Sequence, residues 1–506
     1  MLNRLEHIRW AKVAWPAAFA SLSFALMEIV DTAMLGLVGV DSIAGSALAG
    51  SLLYLVMSFA FNMVRAATPI AASLPGGQGP ARLRALVRLT LFSSLALGLL
   101  AIPLVLIGAR ILPALGIEAN LVSECTTYMT WRAPVLWLEV SYVGLWAILD
   151  GLGKTKVTMA AGLISIATNV FLNCLLIPGW LGFPALGIRG AAIATNLSIL
   201  IGFAVIARAL MRHVMVPGER EFGCTTLVER FCGTLREHVF GIFLEASPLS
   251  DEALGKRFVQ LGWPMGLSGM LQMAGVMLFG LLVGRAGANA TACYGIISAL
   301  VVMGLSLSSG IGVASVTMIA RAQGQSNTPA MIRQVRTALS YQILIGSCMT
   351  LIGWVGAAHW GGFFTDESSV VRGIFELSPL WLACLWLDGI LVVLGAIQEG
   401  CGRTKNTFWA TVGFDLCLLF PMVLLLPPEG GLSGFYLAWL AKDVLKALIL
   451  FSYTVKDLKK LLKKAGELAL AMKRVKGLLL GGELAYVGYP RSGTQHRYWE
   501  IPIPSG

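Results

Sequence analysis

Long apolar runs, separated by short polar stretches, dominate the chain. A helix rises about 1.5 Å per residue, so a run of roughly 18 or more apolar residues can cross about 30 Å of hydrocarbon. We therefore predict an all-α polytopic membrane protein with twelve transmembrane spans, numbered in chain order. The predicted spans are residues 13–36, 43–72, 88–109, 125–149, 157–179, 188–211, 258–284, 291–320, 337–360, 374–398, 407–427 and 433–454.

Composition and charge placement agree with this pattern. The 506 residues are 57% hydrophobic and 13% charged, and the mean hydropathy is +0.77, values too apolar for a soluble domain. The net charge of +11 could indicate a nucleic-acid partner, but the basic residues concentrate in loops on one side of the spans. We predict no nucleic-acid partner, and a multi-pass protein of the cytoplasmic (inner or plasma) membrane with both termini in the cytoplasm.

An internal repeat divides the chain into two halves. Ala147–Thr158 reads AILDGLGKTKVT, and Ala396–Thr407, 249 residues later, reads AIQEGCGRTKNT. At an offset of 248 residues, Trp15-Pro16 matches Trp263-Pro264. Because six spans return the chain to the side where it began, we predict two six-helix lobes related by a parallel pseudo-twofold repeat around a central cleft. Such lobes could simply pack well together, but a cleft that opens alternately is typical of transporters.

Polar segments mark the boundaries of the two lobes. We predict an N-lobe at 1–212, a cytoplasmic linker at 213–257, a C-lobe at 258–455, and a basic amphipathic helix followed by a disordered tail at 456–506. The segment 455–482 places leucines on one helical face and lysines opposite. That pattern favours binding to anionic lipids of the inner leaflet.

Acidic residues inside the spans of the first half are candidate functional residues, because a carboxylate at the bilayer centre costs roughly 2.5–3.5 kcal/mol on insertion scales. Glu28 and Asp31 share one face of span 1, and Asn169 and Asn173 share one face of span 5. A carboxyl group here can carry a proton or, when ionised, hold Na⁺. The alternative for Asp31 is contact with lipid headgroups near the outer end of its helix.

Candidates in the rest of the chain follow from the repeat. Glu139 in span 4 and Asp388 in span 10 occupy equivalent positions, so we predict that both face the cleft. Asp415 in span 11 is a further cleft candidate, although it could equally satisfy a neighbouring helix. Gln272 adds a polar group to span 7.

Several separated segments resemble one known family, the multidrug and toxic compound extrusion (MATE) transporters, including its DinF-like and NorM-like branches. The similarity runs over residues 10–455. Besides the two Trp-Pro pairs and the repeated turns, it rests on VDTAMLG at Val30–Gly36, YMTWRAP at Tyr128–Pro134, NVFLNCLLIPG at Asn169–Gly179, LGIRGAAIAT at Leu186–Thr195 and GLSGMLQ at Gly266–Gln272.

The resemblance implies roles for residues of the N-lobe. Asp31 matches the acid that family members use for proton or sodium coupling, Asn169 matches an asparagine of the same network, and Thr195 matches a threonine that lines this site in DinF-like members. Asn173 departs from the family, because some members carry an aspartate there. That difference removes one carboxylate from a proton relay.

In the C-lobe the resemblance is less complete. Asp388 matches the tenth-helix aspartate of NorM-like members, whereas Gln272 replaces their seventh-helix glutamate. The resemblance therefore implies a cation site in the C-lobe that is weaker or differently built.

We predict a secondary antiporter that exports small amphipathic, cationic organic compounds by alternating access. Entry of H⁺ or Na⁺ would drive it, with Na⁺ at Asp31 as the one possible metal ion, no other cofactor and a monomeric chain. The nearest alternative is a flippase or exporter of lipid-linked saccharides, which would have more spans or a cationic cleft. We predict no enzyme and no catalytic residue, since the five histidines lie at span ends and in loops. The remaining alternatives are a membrane-embedded enzyme and a structural or receptor protein.

Overall fold

The computed structural model describes residues 4–74, 79–115, 119–214, 252–285, 288–363, 367–425 and 431–479. Helices and short turns make up these ranges, which contain no β-strand. Most of the predicted linker, the end of the predicted amphipathic segment and the predicted tail lie outside the described residues.

The first half contains six helical spans. They are span 1 (Arg4–Leu35), span 2 (Val40–Val64 and Ala67–Ser73), span 3 (Gly79–Ile111), span 4 (Ala119–Arg132 and Leu136–Gly151), span 5 (Thr155–Leu176) and span 6 (Ile188–Val214). Span 4 changes to a 3₁₀ turn at Ala133–Val135, where Pro134 lacks a backbone N–H and restricts the residue before it. The break separates Arg132 from the rest of the span.

The second half repeats this arrangement after residue 251. Its spans are span 7 (Glu252–Arg285), span 8 (Ala288–Gly324), span 9 (Thr328–Val355), span 10 (Ser378–Gly400), span 11 (Thr404–Thr411, Val412–Leu419 and Phe420–Leu425) and span 12 (Gly431–Leu479). Short helices at Ala357–Trp360 and Ser368–Glu376 lie between spans 9 and 10. The middle segment of span 11, Val412–Leu419, is a π-helix.

Nine helices of the described ranges are long and apolar enough to cross a membrane, and they correspond to spans 1 to 6 and 8 to 10. Helices also occupy the other three predicted positions. Span 12 carries Lys442, Asp443 and Lys446 within five residues, so its apolar run is interrupted. Helices extend beyond the predicted spans at several ends; span 7, for example, starts at Glu252 rather than at residue 258.

The two copies of the repeated sequence form the same turn. Gly153 after span 4 and Gly402 after span 10 adopt left-handed φ angles of 74° and 70°. The next backbone N–H in each copy returns to the helix: Lys154 N donates to Leu149 O, and Arg403 N donates to the carbonyl oxygen of Gln398, both at 2.8 Å. This is the glycine-capped helix end in which a side chain at the left-handed position would be strained.

Small residues let the two halves pack closely. Span 1 packs against span 8, and span 2 packs against span 7. A Cβ atom built at Gly310 of span 8 would lie 2.5 Å from the carbonyl oxygen of Ala14, and one built at Gly266 would lie 2.8 Å from that of Phe59. Glycine is required at such close helix crossings. Both halves belong to one compact unit, Met1–Leu458, and Lys459–Gly506 is a separate unit.

Candidate functional site

Asp31 lies near the end of span 1 and is held by neutral donors from spans 5 and 6. Asn173 Nδ2 donates to Asp31 Oδ1 at 2.5 Å, and Thr195 Oγ1 donates to Asp31 Oδ2 at 3.0 Å. Asn173 Nδ2 also lies 3.1 Å from Asn169 Oδ1. Both asparagines are fully buried. The spacing-based prediction that Asn169 and Asn173 face a span 1 carboxylate therefore agrees with the geometry.

Two polar atoms of this N-lobe site have no hydrogen-bond partner among the described residues. They are Asn169 Nδ2 and Asn173 Oδ1, both buried. A buried polar atom without a partner costs free energy, so such atoms often mark a place for an ion or a water molecule. Together with Asp31, the amide oxygens of the two asparagines provide the oxygen ligands that hard cations prefer.

Arg132 and Glu139 form a buried ion pair beside the N-lobe site. Arg132 Nη2 lies 2.7 Å from Glu139 Oε2, and the side chains are 7% and 18% exposed. Arg132 Nη1 also donates to Asn196 Oδ1 at 2.6 Å, and Asn196 Nδ2 donates to the Trp131 carbonyl oxygen at 2.7 Å. A buried guanidinium requires a counter-charge, and Glu139 supplies it. Glu139, which we predicted to face the cleft, is thus engaged inside the N-lobe.

Charged residues of spans 11 and 12 form a second buried cluster. Lys442 Nζ lies 3.2 Å from Asp415 Oδ1 and 2.6 Å from Asp443 Oδ1. Lys446 contacts the other oxygen of Asp415. None of these four side chains is more than 7% exposed. The Lys442 ammonium also lies 4.1 Å from the centroid of the Trp439 ring, a favourable cation–π distance.

Local helix geometry explains how these charges meet. Lys442 and Lys446 are four residues apart on span 12 and share one face. Asp415 lies in the π-helical segment of span 11, whose wider turn shifts the side chains that follow it relative to a regular helix. Asp388 on span 10 lies near enough to interact electrostatically with Asp443 and Lys442. We call Asp388, Asp415, Lys442, Asp443 and Lys446 the C-lobe cluster.

The structure brings most of the predicted site residues into these two places. Asp388 and Asp415 belong to the C-lobe cluster. Gln272 is exposed, and no hydrogen bond joins it to Asp388 or Asp415 within the described part of the chain. The side chain of Glu28 lies outside the described residues.

Sequence reasoning missed three residues of the C-lobe cluster. Lys442, Asp443 and Lys446 fall inside the predicted span 433–454, and the rule that selected Asp31 applies to them equally. Arg132, at the end of the first helix of span 4, pairs with Glu139. Among the described residues, no group of three or more His, Cys, Asp or Glu side chains is placed to hold a metal ion.

Known proteins match this chain over most of its length. The MatE family model matches residues 16–175 and 264–421. The probable multidrug resistance protein NorM of Bradyrhizobium diazoefficiens is 24% identical over 440 residues, which cover 85% of this chain and 88% of that protein. The multidrug resistance protein NorM of Aliivibrio fischeri is 24% identical over 464 residues, with coverages of 88% and 93%.

Solved structures share the fold. A crystal structure of MATE in complex with MaL6 superposes with a TM-score of 0.76 at 18% identity, covering 90% of this chain and 97% of that one. An outward-facing multidrug resistance MATE family transporter of the MOP superfamily gives 0.75 at 17% identity, with coverages of 90% and 96%. These likenesses confirm the predicted all-α fold of twelve spans in two lobes.

Proposed function

The chain belongs to the MatE family, and from that premise we propose that it is a secondary antiporter that exports small amphipathic organic compounds. Entry of H⁺ or Na⁺ through the same protein would drive the export. The relatives that match along most of the chain are named multidrug resistance proteins. The predicted family and the predicted multidrug antiport agree with them.

The observation that carries the coupling proposal is the environment of Asp31. Its two oxygens accept hydrogen bonds from Asn173 and Thr195, and no basic side chain forms an ion pair with it among the described residues. A proton or Na⁺ can therefore neutralise Asp31 without displacing a resident cation. Thr195 and the two asparagines would hold the carboxylate in place in both charge states.

Span 1 offers a physical link between this site and the arrangement of the lobes. The span that carries Asp31 packs directly against span 8 of the other lobe. A ligand shifts a conformational equilibrium only by its difference in affinity for the two states. Ion binding at Asp31 would act in this way if the packing of span 1 on span 8 differs between the two openings of the cleft.

Hydrogen bonds join the two lobes on the predicted cytoplasmic side. Thr317 Oγ1 donates to the Asp150 carbonyl oxygen at 2.9 Å, and Arg321 Nη2 donates to that of Leu152 at 3.3 Å. The Trp10 indole N–H donates to the side chain of Gln334. These contacts support an outward-open state, and their separation would open the cleft to the cytoplasm so that the next substrate can bind.

The driving force suffices for such a cycle. A membrane potential of about 100 mV contributes about 2.3 kcal/mol per elementary charge, and a tenfold ion gradient adds about 1.4 kcal/mol. For each net positive charge that the exchange moves inward, the two together can raise the concentration of a substrate outside by more than two orders of magnitude. One-for-one exchange for a monovalent cation moves no net charge and is driven by the ion gradient alone. Either H⁺ or Na⁺ meets this requirement.

The remaining parts of the proposal concern location, substrate charge and oligomeric state. We propose that the protein lies in the cytoplasmic membrane with both termini on the cytoplasmic side. We also propose that its substrates are cationic and that it acts as a monomer. The helix that forms span 12 continues to Leu479 and thus through most of the basic segment 455–482. That segment would bind anionic lipids of the inner leaflet.

Transport in proteoliposomes tests the proposed function. Vesicles loaded with ethidium, a fluorescent organic cation, would be given an inward pH gradient or an inward Na⁺ gradient. We expect efflux by the wild-type protein with at least one gradient, and its loss in Asp31→Asn. Asp41→Asn is the matched control, because Asp41 is an exposed acid at the start of span 2. Equal efflux by Asp31→Asn and wild type would overturn the coupling role of Asp31.

A further inference from the structure

A cavity of about 450 Å³ lies between the lobes on the predicted cytoplasmic side. Span 1 and the glycine turn after span 4 form its N-lobe wall, and span 8 and the start of span 9 form its C-lobe wall. The hydrogen bonds from Trp10 to Gln334 and from Arg321 to the Leu152 carbonyl oxygen join the same two walls. Separation of the lobes on this side would therefore take the cavity apart.

Three basic side chains line the cavity. Arg9 and Lys12 come from span 1, and Arg321 comes from span 8. Arg9 and Lys12 are three residues apart, so they share one face of their helix. None of the three forms an ion pair with an acid in the described part of the chain. Glu6 also lines the cavity, but its carboxylate lies 3.6 Å from the guanidinium of Arg333. Three positive charges thus meet here without a counter-charge from the described residues.

The internal repeat shows that these charges belong to one of two equivalent places. At the 248-residue offset that relates the two Trp-Pro pairs, Arg321 corresponds to Ser73, and Lys12 corresponds to Gln260. The third charge is kept, as Arg257. The general preference for basic residues on the cytoplasmic side applies to both places alike. It does not account for the difference between them.

We propose that this cavity binds a phosphate group, carried by an anionic phospholipid or by free phosphate, and that the bound anion bridges the two lobes. A guanidinium presents paired N–H donors to phosphate oxygens, and an ammonium group adds a compact charged donor. Arg321 uses Nη2 for the Leu152 carbonyl oxygen, at 3.3 Å, and its other N–H groups can meet a ligand. Anionic headgroups are abundant at the cytoplasmic surface, where the cavity lies.

A bound anion would favour the state in which the lobes are in contact on this side. Arg9 and Lys12 belong to one lobe and Arg321 to the other, so an anion that contacts all three binds most tightly while the walls are together. A ligand shifts a conformational equilibrium by its difference in affinity for the two states. Stabilisation of the outward-open state rests on the proposed function, whereas the binding site itself does not.

Isothermal titration calorimetry with inorganic phosphate tests the site in the purified full-length protein in an uncharged detergent. We expect Arg9→Gln/Lys12→Gln and Arg321→Gln each to weaken binding by at least tenfold. Arg257→Gln is the matched control, because Arg257 is the exposed equivalent of Arg9 in the second half, and it should bind as wild type does. Arg9 and Lys12 are exposed, so their substitution tests the site even if Arg321→Gln does not fold. Equal phosphate affinity in wild type and Arg9→Gln/Lys12→Gln would overturn the proposal.

Native mass spectrometry distinguishes the two sources of the phosphate group. The protein would be released from bilayers of equal parts phosphatidylglycerol and phosphatidylcholine. Selective retention of phosphatidylglycerol by wild type and Arg257→Gln, with its loss in Arg9→Gln/Lys12→Gln, would assign the site to a lipid headgroup. Binding of inorganic phosphate without selective retention would assign it to a free anion. A wild-type protein that shows neither would contradict the proposal.

Hydrogen exchange tests the bridge between the lobes. Inorganic phosphate or phosphatidylglycerol, whichever binds, should slow amide exchange both at the turn around Gly153 and at the end of span 8. Arg9→Gln/Lys12→Gln should show neither protection. Protection of only one wall would rule out the bridge. None of these measurements requires transport, so failed binding would leave the proposed antiport intact, and failed ethidium efflux would leave the binding results intact.

Discussion

The N-lobe site and the C-lobe cluster both bury carboxylates, but they surround them differently. In the N-lobe, Asp31 is held by the neutral side chains of Asn173 and Thr195. In the C-lobe, Asp415 and Asp443 are held by ammonium groups of span 12. A carboxylate among neutral donors can accept a cation from solution, whereas one among lysines is already paired. The two lobes of one repeat thus surround their buried carboxylates with groups of different charge.

Equivalent positions in the repeat explain this difference. An offset of 248 places Phe279, a buried aromatic residue, where the N-lobe has Asp31. An offset of 249 places Trp381, also buried, where the N-lobe has Arg132. Asp388, the counterpart of Glu139, therefore has no arginine at the equivalent position, and its charged neighbours lie on span 12. The backbone has kept its symmetry while the buried charges have moved to different helices.

Loss of Lys442 should give the largest effect on stability. Lys442→Met leaves Asp415 with one lysine and Asp443 with none, and breaking a buried pair costs about 3–5 kcal/mol. Unfolding in detergent would measure this cost. The double variant Lys442→Met/Asp443→Asn should recover at least 1 kcal/mol relative to the sum of the single changes, as expected for residues in contact. Strict additivity would show that the two side chains do not compensate each other.

Substitution of the two equivalent acids, Glu139 and Asp388, should lower the free energy of unfolding by unequal amounts. Glu139→Gln strands the buried guanidinium of Arg132 and should cost about 3 kcal/mol. Asp388→Asn breaks no ion pair of the described residues and should cost less than about 1 kcal/mol. The same unfolding measurement compares them. A cost for Asp388→Asn as large as that for Glu139→Gln would contradict the assignment of separate partners.

Substitutions at the two repeated turns should destabilise the protein equally, because the turns have the same backbone geometry. Gly153→Ala and Gly402→Ala each force a side chain into a left-handed conformation, at a cost of roughly 1–2 kcal/mol. Thermal unfolding of both variants would test the symmetry. Gly50→Ala is the control, since Gly50 lies within the helix of span 2 and a Cβ there meets nothing within 4 Å. A cost at only one of the two turns would show that the repeat is not symmetric at this level.

Thr195→Val should have the smallest effect of these substitutions, and it should act on ion dependence. It removes one of the two donors to Asp31 but leaves Asn173 in place, and a hydrogen bond contributes about 1 kcal/mol. We expect roughly a fivefold change in the concentration of coupling ion that gives half-maximal ethidium efflux. Thr130→Val, at an exposed threonine of span 4, should change nothing. An effect on unfolding without any change in ion dependence would instead assign Thr195 to stability alone.

The sequence predicted the helices and the N-lobe site because both depend on local spacing. Apolar length gives the spans, and a separation of four residues places Asn169 and Asn173 on one face. Span 5 then needed only to pack beside span 1 for the polar groups to meet. The repeat predicted the common turns for the same reason, since a left-handed glycine is a local requirement.

Contacts that cross breaks and π-turns could not be predicted in this way. Arg132 and Glu139 are separated by the 3₁₀ turn at Pro134, so helical spacing does not relate their directions. The π-helix around Asp415 changes which residues share a face. Lys442 and Lys446 were detectable as charges inside a predicted span, but their partners on span 11 depend on tertiary packing.

Gradient-driven efflux from proteoliposomes tests the account most directly when both lobes are compared in one measurement. Ethidium efflux would be recorded for wild type, Asp31→Asn and Asp388→Asn under an imposed Na⁺ gradient and, separately, an imposed pH gradient. We expect Asp31→Asn to lose efflux under every gradient that drives the wild type. Asp388→Asn should retain efflux under the same gradients, because coupling is proposed at Asp31. Efflux by Asp31→Asn equal to wild type, or a loss of Na⁺-driven efflux in Asp388→Asn alone, would contradict it.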